Sequence, residues 1–321
     1  MKLTPTFAPP TVEEITLRKS KLIEQMQQYD IDCLVIADPD NVFWLTNFAN
    51  YVHERPFILL MDAHGHLSFV IPKLEVRHVN SRKVGEIELI EYEEFPCSVE
   101  RSWISGFKKH VDTYSKVALE ANAPQFISQA IKTDCIVKDI VEEARHVKTD
   151  YEVRRIMYSS NVAAKAMEKL LKIAKPGMSA ITSNKKITQL IMLQLFADNP
   201  QTNVLATNAG VIVQSPNVAD DPHNFTNVMN MDMTQGGPHV SIINGVFNGY
   251  GTEVERTFFL GKVPEKAIKP YQVMMEAREL CFELCKPGTD MHDVDYAVQQ
   301  HFKKPAMTVV ILCIGRGTVL A

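Results

Sequence analysis

The stretch NGYGTEVERTFFLG, residues 248–261, decides how the second half of this chain is read. Apolar and charged side chains alternate along it, the pattern of a strand with one face against a core. Residues i and i+2 of a strand share a face, so Glu253 and Glu255 project together while Val254 and Arg256 project oppositely. On a dry face two carboxylates need a metal, a bound cation or a shared proton, because like charges raise one pKa. On a solvated face they need nothing. The flanking Tyr250, Phe258 and Phe259 indicate a half-buried strand, and Arg256 reads as a structural ion-pair partner.

Further strands are expected in TNVLATNAGVIVQSP (202–216) and HVSIINGVFNGY (239–250), which are rich in β-branched residues and punctuated by Gly, Asn and Pro. Helical periodicity runs through EEARHVKTDYEVRRIMYSSNVAAKAMEKLLKIA (142–174) and stops at Lys175, Pro176 and Gly177. A second helix, YQVMMEARELCFELC (271–285), stops at Lys286, Pro287 and Gly288. Each stop is followed by another helical stretch, which suggests a pseudo-duplicated α+β domain, with coincidence as the alternative. The first half reads as α/β: a helix over 12–28, a buried strand in DCLVIADPDN (32–41) ending in a turn, a hairpin from PFILLMD and HLSFVI, and a strand in KVALEAN (116–122). The domain boundary falls just before the long helix, giving domains 1–147 and 148–321.

The chain has 321 residues, 45% hydrophobic and 22% charged, with net charge -4. That is long enough for two cores, and it offers no basic stripe for nucleic acid or an anionic membrane. Neither a membrane-length apolar run nor a signal-peptide core is present, which points to the cytoplasm. The six cysteines lack paired metal spacing, so reduced thiols are expected, with Cys281 and Cys285 packed in a core. Two further residues are chemical candidates. His223 in DDPHNF (220–225) can serve as a general acid/base, and Arg55 in YVHERPF (51–57) can hold a carboxylate; simple exposure is the competing reading of both.

Taken together, GVFNGYGTEVERTFFLG, the upstream DPHN, HVKTDYEVRRIMYSSNVAAKAM and the paired Lys-Pro-Gly stops resemble the creatinase, prolidase and aminopeptidase P family. LVIADPDNVFWLTNF (34–48) is similar to the start of that family's ribonuclease-H-like N-terminal domain. The resemblance spans roughly Val12 to Lys304. It implies an α/β N-terminal domain followed by an α+β "pita-bread" catalytic domain that is incomplete at the carboxyl end. Most members are homodimeric dinuclear hydrolases using Mn, Co or Zn to cleave the bond before proline in small peptides.

Carried over, one metal-binding aspartate falls on Glu253 and its partner on Ile242, which cannot ligate. His223 matches a catalytic histidine. Glu255 matches a position that in metal-free creatinase is a glutamate binding the guanidinium-type substrate, and Arg55 matches an arginine holding a substrate carboxylate. Three readings follow: an Xaa-Pro aminopeptidase or dipeptidase, a creatinase-like metal-independent C–N hydrolase without cofactor, and an inactive homologue acting as a binding module. The tail from Pro305 to Ala321 can be spelled by codons that, read out of frame, give the family's His-Arg-Thr-Gly-His-Gly-Ile-Gly motif. A frameshift near Lys304 and a truncated catalytic domain are therefore expected.

Overall fold

The computed structural model describes residues 3–50, 54–221 and 229–303. In chain order the first elements are α1 (Val12–Tyr29), β1 (Cys33–Ile36), α2 (Pro39–Thr46), β2 (Ile58–Asp62), β3 (Leu67–Pro72), α3 (Val76–Arg82), β4 (Glu88–Tyr92), α4 (Trp103–Val111), β5 (Lys116–Leu119), α5 (Gln125–Ala130), β6 (Asp134–Val137) and α6 (Ile140–His146). There follow α7 (Asp150–Ile173), α8 (Ala180–Asp198), β7 (Asn208–Gln214), β8 (Gly236–Phe247), β9 (Tyr250–Leu260), α9 (Glu265–Leu284) and α10 (Met291–Lys303). No helix among the described residues is long and apolar enough to cross a membrane.

Six strands form a mixed sheet in the order β4-β3-β2-β1-β5-β6. Strand β1 pairs antiparallel with β2 and parallel with β5. All four of its side chains are buried because both faces of the sheet are covered. Leu34 and Ile36 enter one core with Leu22, Met26, Leu45 and Phe48, whereas Cys33 and Val35 enter the other with Val70, Phe107 and Val117. The expected hairpin is β2–β3, closed at Gly65, whose φ of 82° suits glycine.

Local chemistry accounts for three departures from the sequence reading. The turn expected after β1 instead opens α2: Asp38 caps it by accepting from the amides of Asp40 and Asn41, and Pro39 occupies the first turn. The single helix expected over 142–174 is two helices. Between them Thr149 and Glu152 form a capping box, with the Glu152 amide donating to Thr149 Oγ1 at 3.2 Å and the Thr149 amide to Glu152 Oε2 at 2.8 Å. Helix α9 begins before Tyr271, with Pro270 inside it. Each Lys-Pro-Gly segment follows the end of its helix as a tight turn, closed by the Met178 amide on the Lys175 carbonyl and by the Thr289 amide on the Lys286 carbonyl. Glycines of positive φ, 81° at Gly177 and 86° at Gly288, lie inside the turns. Cys281 and Cys285 are free thiols with sulfurs 3.8 Å apart.

A three-stranded sheet, β7-β8-β9, belongs to the second half. Asn248 and Gly249, at φ 49° and 81°, link β8 to β9 as a two-residue turn of the kind whose twist suits a hairpin. By contacts the chain divides into one unit of Met1–Val162, Leu193–Ala209 and Gly245–Thr252 and another of Ala163–Met192, Gly210–Asn244 and Glu253–Ala321. Buried side chains of the second unit include Met167 and Leu170 of α7, Ile187 and Ile191 of α8, Val211 of β7, Ile243 of β8 and Val273 of α9.

At Gly249 a Cβ would overlap the ring of Phe43, in addition to facing the positive φ. Gly249→Ala is therefore expected to destabilise by about 2–4 kcal/mol, combining left-handed backbone strain with overpacking, and to lower the thermal unfolding midpoint accordingly.

Candidate functional site

Strand β9 presents Glu253 and Glu255 on one exposed face, while Thr252 and Val254 on the other are half-buried. On β8 the buried row is His239, Ser241 and Ile243. Counting back from the two-residue turn sets Asn244 opposite Glu253 and Ile242 opposite Glu255. The hydrogen bond from Ser241 Oγ to the Arg256 carbonyl, 3.1 Å, agrees with that register. Ile242, Asn244, Glu253 and Glu255 thus share a face.

Partial burial, and then the neighbouring Glu253 charge, push the Glu255 carboxyl above its ordinary range. Arg256 forms no ion pair among the described residues. Its guanidinium donates to the Glu255 carbonyl at 2.6 Å, which corrects the expectation of an ion-pair role. The reason is local: the exposed side chain folds back on its own strand, where the nearest acceptor is a backbone oxygen.

A two-metal centre needs several oxygen or nitrogen donors around each ion. The face offers two carboxylates, an amide and an isoleucine. Among the described residues no group of three or more His, Cys, Asp or Glu side chains is gathered closely enough to hold a metal ion. The described donor set does not fit a dinuclear centre.

Of the other residues singled out from sequence, His223 lies outside the described residues. Arg55, one-third exposed, is 3.5 Å from the Glu54 carboxylate. It lines a hollow of about 100 Å³ with Asp38, Asn50, Phe57 and Asn122. The structure therefore brings Glu253 and Glu255 together, and it assigns Arg55 to the first compact unit.

The sequence reading did not identify a buried polar centre in that first unit. Arg18, only 1% exposed, binds Glu14 Oε1 at 2.8 Å and donates to the Trp44 carbonyl and to the Tyr250 hydroxyl at 3.0 Å. Arg155, 2% exposed, donates to the carbonyls of Ala8 at 3.2 Å, Asn248 at 3.1 Å and Phe247 at 3.4 Å. Burial raises the pKa of the Tyr250 hydroxyl, against the pull of Arg18, and keeps it protonated. One signal was legible: Arg18 interrupts the apolar row Ile15, Leu22, Met26, and charged residues seldom occupy a core row unless they have buried partners.

Residues 154–318 match the family model of metallopeptidase family M24, and residues 18–153 match that of the creatinase/prolidase N-terminal domain. An uncharacterised peptidase of Staphylococcus aureus (strain USA300) is 23% identical over 298 residues, covering 86% of this chain and 76% of the relative. The solved Xaa-Pro dipeptidase from Bacillus anthracis superposes with a TM-score of 0.74 at 18% identity, over 91% of this chain and 78% of that one. The N-terminal domain of a FACT complex subunit from chickpea, Cicer arietinum, superposes with a TM-score of 0.68 at 14% identity, over 92% and 78%. At these identities the two superpositions establish fold, and the expected creatinase-type N-terminal domain with a pita-bread catalytic domain is the fold of this chain.

A carboxyl whose folded-state pKa is raised contributes stability below its unfolded pKa of about 4.3 and loses it as pH rises through the folded value. Glu255→Gln is accordingly expected to unfold at a slightly higher temperature than the parent at pH 7. The gain is a few tenths of a kcal/mol at this exposed position. Calorimetric scans from pH 3.5 to 8 check it: the gap should close below about pH 4, and a gap independent of pH contradicts the assignment.

Proposed function

Because this chain belongs to metallopeptidase family M24 and carries the creatinase/prolidase N-terminal domain before the family's catalytic domain, we propose that it hydrolyses a C–N bond in a small peptide-like substrate. In this reading Glu253 and Glu255 hold the substrate and not a pair of metal ions. The observation that carries it is the strand face, where Ile242 stands opposite Glu255 in place of a second metal-binding carboxylate.

Hydrolysis adds a hydroxyl to the acyl carbon and a hydrogen to the departing nitrogen. His223 takes the proton from the attacking water and returns it to that nitrogen, a role suited to a side chain that titrates near neutrality. Glu255 accepts N–H groups of the substrate, and a cationic or N–H-rich group between Glu253 and Glu255 relieves their repulsion. Capture of a substrate carboxylate is the role that the resemblance gives Arg55. A cytoplasmic homodimer accompanies this reading.

A second reading is an Xaa-Pro aminopeptidase or dipeptidase working with Mn, Co or Zn, which the likeness to the Bacillus anthracis Xaa-Pro dipeptidase favours. A third reading is a homologue without turnover that serves as a binding module; the chickpea domain that shares this fold belongs to a subunit of a complex.

The test is turnover by the full chain of Xaa-Pro dipeptides and of creatine, with chelator and with added Mn²⁺. The expected outcome is chelator-resistant hydrolysis, falling about 100-fold or more in Glu255→Gln and in His223→Ala. Turnover that requires Mn²⁺ and is lost in Glu253→Gln supports the peptidase reading. A folded protein inert to both substrate classes supports the binding module.

A further inference from the structure

Within the first compact unit, beside the two buried arginines, lies a cavity of about 310 Å³. One water needs only about 10–15 Å³ of such space, so the cavity is large enough for a small organic molecule. Arg18, Arg82, Arg155, Asn203 and Tyr250 are among the residues that line it, and no aspartate or glutamate does.

Two buried donors among its lining residues have no partner. Arg155 spends both terminal nitrogens on backbone carbonyls, and its Nε has no partner. Asn203, 8% exposed, accepts from the Leu205 amide at 3.0 Å through Oδ1, while its Nδ2 has no partner. The Tyr250 hydroxyl accepts from Arg18 and keeps its own hydrogen to give.

The buried centre beside the cavity holds two carboxylates for its two arginines: Glu14, paired with Arg18, and Glu152, 3% exposed, which accepts from the Trp44 indole and the Thr149 amide. Neither carboxylate reaches Arg155 within 4.0 Å, and the Tyr250 ring, 5.1 Å from its guanidinium carbon, leaves the Nε–H unmet.

We propose that this cavity is a binding site for a small oxyanion, separate from the Glu253 and Glu255 face. Acceptor-only oxygens of the ligand take the Arg155 Nε and Asn203 Nδ2 donors, and its negative charge meets a wall that carries Arg18, Arg82 and Arg155 and no carboxylate. A carboxylate metabolite and inorganic phosphate share this chemistry, and the test separates them.

Thermal unfolding of the full chain is followed in malonate and in phosphate, with chloride at matched ionic strength as control, and binding is titrated by calorimetry. The expected result is one site per chain and a midpoint rise of about 5 °C at a hundredfold excess over Kd. A rise with malonate alone identifies the carboxylate, and a rise with phosphate alone the inorganic ion. Asn203→Asp keeps the acceptor for Leu205 and places a carboxylate where the free donor was, so it should stay folded and bind either anion at least tenfold more weakly. Arg155→Met also removes three backbone contacts, and Asn203→Asp therefore carries the decision. No midpoint rise beyond that in chloride, or unchanged binding by Asn203→Asp, overturns the proposal; the first result would mean that water fills the cavity.

Discussion

Two guanidinium groups buried in the first compact unit must have their donors met inside the protein, and much of that unit is arranged around this requirement. Arg18 leaves α1 and reaches Glu14 one turn earlier, the carbonyl end of α2 at Trp44 and the first residue of β9 at Tyr250. Glu14 in turn accepts from Thr149 at 2.8 Å, and Thr149 with Glu152 starts α7. Arg155, on the next turn of α7, holds the carbonyls of the β8–β9 turn. Hydrogen bonds to charged groups are the stronger kind, and an unmet one in a dry interior is unfavourable. The two arginines consequently set the positions of α1, α2, α7 and the hairpin turn together.

That turn matters for the chemistry. Asn248 adopts a left-handed conformation that few residues accept, and its side chain receives the Asn203 amide at 2.7 Å. A two-residue turn leaves one register, and the register decides which side chains face one another. It is why Ile242 and Glu255 are opposite neighbours, with Asn244 opposite Glu253. The raised Glu255 pKa belongs to the same arrangement: strand periodicity holds two carboxylates on one face whatever their mutual repulsion.

Legibility varied from element to element for physical reasons. Helix α1 and the β2–β3 hairpin could be read directly because their burial patterns are local and periodic. The break between α6 and α7 was also present in the sequence, as the Thr149-to-Glu152 capping box, but uninterrupted apolar periodicity across 142–174 masked it. Period alone does not register a cap, which acts through side-chain oxygens and not through hydrophobicity. The start of α9 was obscured by Pro270, because a proline reads in sequence as a helix boundary and here lies inside the helix.

By itself the sequence determined the family through a set of short motifs, the existence of most helices and strands, the pairing of Glu253 with Glu255 on one strand face, and the absence of a second aspartate at Ile242. These follow from residue identity and from the fixed periods of helix and strand. Only the tertiary structure decided that Arg18 and Arg155 are core residues, that the Asn248 turn is anchored by residues far away in sequence, and that an arginine-lined cavity lies beside them. Whether a charged side chain is buried depends on which distant backbone carbonyls and carboxylates surround it, and that information belongs to no single segment of the chain.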